Sequence, residues 1–185
     1  MRAKHDVLFV QGGGKGTHDD WDRKLVESLR RELGQGYEIH YPRMPSEDDP
    51  SYGSWKAALQ KILEKLHDGA ILVGHSVGGT ILVRMLGEHP SSRPLGAVLL
   101  IAAPFVGKGG WSFDELQLPA ELGARLPRGV PIHFYHGLAD ETAPPPHADL
   151  YARAVPQAHI HRLPGRDHQL NDDLSEVAAS ILALG

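Results

Sequence analysis

Ala70-Ile71-Leu72-Val73-Gly74-His75-Ser76-Val77-Gly78-Gly79-Thr80-Ile81-Leu82 is an apolar run, a serine framed by glycines, and a second apolar run. The pattern Gly-x-Ser-x-Gly at 74–78 stands where a strand gives way to a helix, the context that gives this motif meaning. A serine at the tip of such a turn adopts backbone angles that most residues avoid, so its neighbours must be small. Gly74 and Gly78 are the two positions where a Cβ would collide with the opposing chain. The consequence is chemical: the Ser76 hydroxyl is lifted clear of the sheet, towards a base and a substrate. An ordinary strand-to-helix loop is the competing reading, and it leaves the paired glycines unexplained.

Outward from this turn, short apolar runs alternate with longer amphipathic ones, the pattern of a parallel sheet with helices on its faces. Strands are expected at Val7–Gln11, Tyr37–Tyr41, Ala70–Gly74, Ala97–Ala102, Pro131–Tyr135 and His159–Leu163. Several are unbroken apolar runs, as strands covered on both faces are. Helices are expected at Trp21–Leu33, Ser54–Leu66, Val77–Glu88, His147–Ala154 and Leu174–Leu184. Trp21, Leu25, Leu29 and Leu33 recur every four residues in the first, with Gly34 as a stop. Trp55, Leu59, Ile62, Leu63 and Leu66 form one stripe in the second. The segment at about 104–128 breaks the alternation and is expected to be a short cover. Most of it reads as a surface connection pinned by its aromatics, with Trp111 and Phe113 the candidates for lining a substrate pocket.

The chain has 185 residues, 41% hydrophobic and 23% charged, which is one domain of ordinary soluble composition. Its formal net charge of −4 gives no reason to propose nucleic acid or an anionic membrane as partner. No apolar run is long enough to span a bilayer. The amino terminus leads straight into a strand without a signal-peptide core, so a cytoplasmic protein is expected. Cysteine is absent, which excludes disulfides, cysteine nucleophiles and thiolate metal sites.

A serine hydroxyl needs an adjacent base, usually a histidine held by a carboxylate. The strand ending at Tyr135 runs into His136-Gly137-Leu138-Ala139-Asp140, and the next runs into Pro164-Gly165-Arg166-Asp167-His168. In a parallel sheet these loops lie on one edge, where open α/β sheets bind ligands. Ser76, Asp140 and His168 can therefore converge. Glu141 competes with Asp140 for the acid. Asp167 sits too close in sequence to His168 to face it across a loop, and an unimportant loop histidine is the alternative for His168 taken alone.

These residues resemble the α/β-hydrolase superfamily, in the chain order Ser, Asp, His that it uses. The motifs are Gly-His-Ser-Val-Gly-Gly, His-Gly-Leu-Ala-Asp and Gly-Arg-Asp-His, and the likeness spans nearly the whole chain. Shortness and the missing lid resemble the compact serine hydrolases related to retinoblastoma-binding protein 9. The resemblance implies a three-layer α/β/α sandwich with a six-stranded parallel sheet in the order 2-1-3-4-5-6, lacking the first two strands of the larger superfamily. An oxyanion hole needs two converging N–H groups. The first is expected from Val77, at a helix start whose dipole also favours an anion. By the family layout Gly13 is the second donor. Gln11 stands where a histidine is usual, and Gly14 stays open.

The same glycine loop fails as a nucleotide motif, because Lys15 is followed by Gly16 and the third dinucleotide glycine is Thr17. The 12 histidines raise the question of metal, but zinc sites want three or four converging ligands and no cysteine can help. His136 is expected to fix the acid loop and His75 to pack under the turn. No metal and no cofactor are expected. A serine hydrolase of small-molecule esters with short acyl groups is the expected activity, with thioesterase, peptidase, lyase or a protein-binding module on the same scaffold as alternatives. Nothing in the sequence sets an oligomeric state.

Overall fold

Six strands, β1 (His5–Val10), β2 (Tyr37–His40), β3 (Ala70–His75), β4 (Leu95–Ile101), β5 (Ile132–Gly137) and β6 (His159–Leu163), pair into one sheet in the order β2-β1-β3-β4-β5-β6. Every pairing is parallel. The computed structural model describes residues 4–185; Met1 to Ala3, the start of the amino-terminal stretch read above, lie outside the described residues. Alternate side chains of the central strands enter two separate cores. Leu8, Val10, Leu72, Val98 and Leu100 point into one, and Val7, Phe9, Ile71, Val73, Leu99 and Ile101 into the other. This is why these strands read as unbroken apolar runs.

Helices close both faces. The first core is covered by α2 (Tyr52–Leu63), α3 (Val77–Glu88), α4 (Leu122–Arg125) and α5 (Pro146–Ala154), with Trp55, Leu59, Ile81 and Tyr151 fully enclosed. The second lies under α1 (Asp22–Leu33) and α6 (Ser175–Leu182), which contribute Leu25, Leu29, Val177 and Ile181. The result is the expected α/β/α sandwich. Strand order reverses beside β1, so the loops leaving β1 and β3 diverge and open a crevice at their carboxyl ends. Gly12–Gly14 and Ser76 stand on either side of it. Among the described residues no helix is long and apolar enough to cross a membrane.

Most element boundaries shift by one or two residues from the sequence reading, and three of the differences have a structural consequence. A π-helical turn at Thr17–Trp21 precedes α1; its wider winding takes Trp21 off the Leu25–Leu29–Leu33 stripe and leaves it 55% exposed, with the Lys24 ammonium over its ring. Helix α2 starts earlier because Ser51 caps it, accepting from the Ser54 N–H, and it ends at Leu63, with Leu66 buried in the loop beyond. Strand β5 continues through His136 and Gly137. That extension pins the acid-bearing loop to the base-bearing one: Leu138 N–H donates to the Leu163 carbonyl and Ala139 N–H to the Arg166 carbonyl, each at 2.9 Å. In the stretch 104–128, a bridge joins Val106 to Trp111 and a 3-10 turn spans Asp114–Leu116. Leu116 and Leu118 are buried there.

Strands β5 and β6 also carry a stack of rings. His133 lies against His159, His161 and Tyr135, with its Nδ1 2.9 Å from His161 Nε2. Burial, then repulsion by His161 and His159, pushes the His133 imidazole down to about 4. The unfolded chain takes up that proton near the ordinary value of 6.5, so stability that is whole above that pH is lost as pH falls towards the folded value. A His133→Gln variant is expected to show a shallower decline of melting temperature between pH 6.5 and about 4. An equally steep decline in the variant contradicts this assignment.

Candidate active site

Ser76 terminates β3 and opens α3 with φ 52° and ψ −132°, the strained conformation expected of the turn. Its N–H donates to the Ile101 carbonyl at 2.8 Å, tying the turn to the end of β4. The space comes from the glycines: a Cβ on Gly74 would stand 2.7 Å from Gly79 Cα, and one on Gly78 would overlap the Gln11 carbonyl. Strand β3 and helix α3 thus pack backbone to backbone.

The loops after β5 and β6 bring Asp140 and His168 to this serine. His168 Nε2 lies 2.9 Å from Ser76 Oγ, and its Nδ1 lies 2.8 Å from Asp140 Oδ2. A carboxylate only accepts, so the Nδ1 carries the proton and the Nε2 is left to accept from the serine hydroxyl. Asp140 is buried, and its Oδ1 accepts from the Thr142 and Ala143 N–H groups at 2.8 Å each. Burial works to raise this carboxyl, but the His168 hydrogen bond and the two backbone donors outweigh it and hold the group below its ordinary value. Glu141 is exposed. Asp167 spends its Oδ1 on the Gln169 and Asn171 N–H groups of its own turn. The geometry therefore selects Asp140 from the acids considered.

Hydrogen-bond accounting separates the three glycines after β1. Gly12 N–H donates to Asp22 Oδ2 at 2.7 Å, and Gly14 N–H to the Glu47 carbonyl at 2.6 Å. Gly13 N–H has no partner among the described residues, and neither has Val77 N–H at the start of α3. Gln11 explains why the loop keeps this shape without a histidine. Its side chain is fully buried, donates to Glu47 Oε2 at 2.8 Å and accepts from Met44 N–H at 2.8 Å. Glu47 in turn accepts from the Gly16 and His18 N–H groups.

The sequence profile of the "Alpha/beta hydrolase family" matches residues 7–184, from β1 to beyond the end of α6. The chain belongs to the alpha/beta hydrolase family. Among solved structures, the ydeN gene product of B. subtilis is similar, with a TM-score of 0.73 at 19% identity, covering 98% of each chain. A monoacylglycerol lipase of Paleococcus ferrophilus gives a TM-score of 0.70 at 16% identity, covering 97% of this chain and 95% of that one. A serine hydrolase without lid from Xanthomonas campestris gives 0.64 at 17%, covering 98% and 82%. At these identities the likeness is one of fold. No curated protein matches the chain.

Two cavities flank Ser76 in this α/β-hydrolase. One of about 370 Å³ is lined by Gly12 to Lys15, Thr17, Trp21, Thr142, His168 and Gln169, with Ser76 and the buried Asp22 and His75 in its wall. The other, of about 380 Å³, is lined by Asp49, Pro50, Val77, Trp111, Ser112, Phe113 and Leu116. Trp111 and Phe113 thus line a cavity beside the turn. A larger cleft lies at the opposite end of the sheet, near Pro131 and His159, and holds none of these residues. Among the described residues no three His, Asp or Glu side chains are grouped so as to hold a metal ion.

His136 donates from Nε2 to the Ala143 carbonyl at 2.6 Å, which fixes the acid loop. His75 does more than pack. Its ring meets Asp22 from α1, and both are buried. Sequence reasoning missed Asp22, Glu47, Trp21 and Thr142. An acid near a helix start reads as a helix-dipole partner, and nothing in linear order pairs it with a residue 53 positions away.

Proposed function

We propose that this α/β-hydrolase is a serine hydrolase of small-molecule esters, working through an acyl-enzyme. The observation that carries the reading is the continuous hydrogen-bonded line from Asp140 through His168 to a strained Ser76, beside two N–H groups with no partner among the described residues. Ser76 Oγ attacks the acyl carbon as its proton passes to His168 Nε2. Negative charge moves onto the former carbonyl oxygen, which Gly13 and Val77 N–H stabilise. The tetrahedral species collapses, the ester C–O bond breaks, and the leaving alcohol takes the proton from His168. Water then repeats the steps and releases the acid. Asp140 keeps the imidazole in its Nδ1–H tautomer and balances its transient charge. The residues supply nucleophile, base and anion stabilisation themselves, and the proposal requires no cofactor.

The leaving group takes its proton from His168, so it occupies the cavity that His168 lines. The acyl group then lies on the far side, against Val77, Trp111, Phe113 and Leu116. This arrangement favours an ester with a short apolar acyl group and a polar alcohol. Trp111→Ala is expected to lower kcat/KM for p-nitrophenyl butyrate by about tenfold, the scale of lost apolar contact in a specificity pocket. With p-nitrophenyl acetate, which reaches that wall little, the loss should stay below about twofold. Equal losses on both esters contradict this orientation. Thioesters and amides follow the same steps, and matched acetate, thioacetate and anilide substrates separate the three.

A further inference from the structure

The mechanism above leaves one buried charged pair without a task. Asp22 is fully buried at the start of α1 and His75 is nearly so at the end of β3. His75 Nδ1 lies 2.9 Å from Asp22 Oδ1 and 3.0 Å from Oδ2. On the other side of the ring, Nε2 is 3.0 Å from the backbone carbonyl of His168. A carbonyl can only accept, so Nε2 bears a proton. Asp22 also accepts from Gly12 N–H at 2.7 Å and from Gln169 Nε2 at 3.3 Å. That donor set calls for a carboxylate, which requires a proton on Nδ1 as well.

The pair therefore holds four pieces of chain at once. Asp22 grips the β1 loop through Gly12, one residue before Gly13. His75 is the residue before Ser76. The His168 carbonyl and the Gln169 amide belong to the loop that carries the base. We propose that Asp22 and the His75 imidazolium form a positioning pair that sets the base and the oxyanion loop against Ser76, and that the site is aligned only while His75 stays charged. This rests on the hydrolase reading for its effect on rate.

The directions of the two groups agree with that geometry. Burial works to lower His75, but the Asp22 charge and hydrogen bond and the His168 carbonyl raise it above its ordinary value. Burial likewise opposes ionisation of Asp22, and His75, Gly12 and Gln169 overcome it. The ionisable groups facing the His75 ring are Asp22 from α1, His168 from the base loop and Asp140 from the acid loop. Tyr41, just beyond β2, lies near enough to be affected by the Asp22 charge. As pH rises and His75 loses a proton, one of its two contacts must go: the His168 carbonyl loses its donor, or Asp22 does.

The test has two arms. Nitrogen-15 NMR of the wild-type protein with labelled histidine should find both ring nitrogens of His75 protonated at pH 7.5. A neutral His75 at that pH overturns the proposal, whatever the protein hydrolyses. In the kinetic arm, Asp22→Asn and His75→Gln should each lower kcat by about 10- to 100-fold, the cost of a small misplacement of reacting groups. KM should change less than kcat, because Asp22 and His75 stand in the wall of the leaving-group cavity but are buried and present little surface to a substrate. Wild-type kcat should fall at alkaline pH, and that limb should vanish in His75→Gln. A variant limb superimposable on the wild-type one overturns the proposal, since a merely structural role would lower folded enzyme without altering the profile. Failure of the hydrolase reading looks different: wild type would cleave no ester while the NMR arm still reports a charged His75.

Discussion

Ser76→Ala is expected to lower kcat/KM for an ester by roughly 10,000- to 1,000,000-fold while leaving the fold intact. The serine supplies the atom that forms the covalent bond, and water in its place has neither the position nor the activation. His168→Ala should cost about as much, because Ser76 Oγ then loses its base; among the described residues the only ring at hydrogen-bond distance from it is His168. Combining the two should add almost nothing, since each removes the same step. Asp140→Asn should lose about 10,000-fold by allowing the wrong imidazole tautomer. Stability should hold in Ser76→Ala, because the side chain gives up one hydrogen bond, to His168, and the Cβ stays in place. Separate losses that multiply in the double variant would mean that Ser76 and His168 do not act on one step.

Gly78→Ala is the substitution expected to harm the fold most. Alanine is the better helix former by about 1 kcal/mol, and Gly78 lies inside α3 with an ordinary φ. Propensity alone therefore predicts stabilisation. Packing decides the sign the other way, because the new methyl would overlap the backbone carbonyl of Gln11, with Val10 Cγ1 at 3.1 Å behind it. A backbone carbonyl at the end of a central strand cannot swing aside like a flexible side chain. Relief requires β1 and α3 to part, which disturbs both cores and displaces Gly12 and Gly13. The expected cost is about 3 kcal/mol or more, a melting temperature lower by roughly 6–12 °C for a domain of this size. Gly36→Ala is the matched control, as its Cβ would enter open space, and it should stay within about 0.5 kcal/mol. Comparable melting temperatures for the two variants would contradict the packing account.

What could be read from the sequence is what local chemistry and periodicity control. The two-faced strands announced themselves because Val7 to Val10 and Ala97 to Ile101 carry apolar residues in both alternating positions. Ser76 was legible because strain demands glycine, and Asp140 and His168 because each follows a strand by a few residues. What escaped depends on partners far away in sequence. Trp21 fits a four-residue period with Leu25, yet the π-turn before α1 moves it to the mouth of a cavity. Gly13 and Gly14 are chemically identical, and only the carbonyl of Glu47 distinguishes them by occupying the second. Asp22 looks like a helix-start acid until β3 brings His75 against it.

The most direct test of the account is covalent labelling with a fluorophosphonate, read by intact mass. The compound phosphonylates a serine activated by a neighbouring base in an oxyanion site. One adduct on the wild-type protein, mapped to Ser76, with none on Ser76→Ala or His168→Ala, is the predicted result. A folded wild-type protein that takes up no adduct, or takes it up on another residue, contradicts the proposed serine hydrolase.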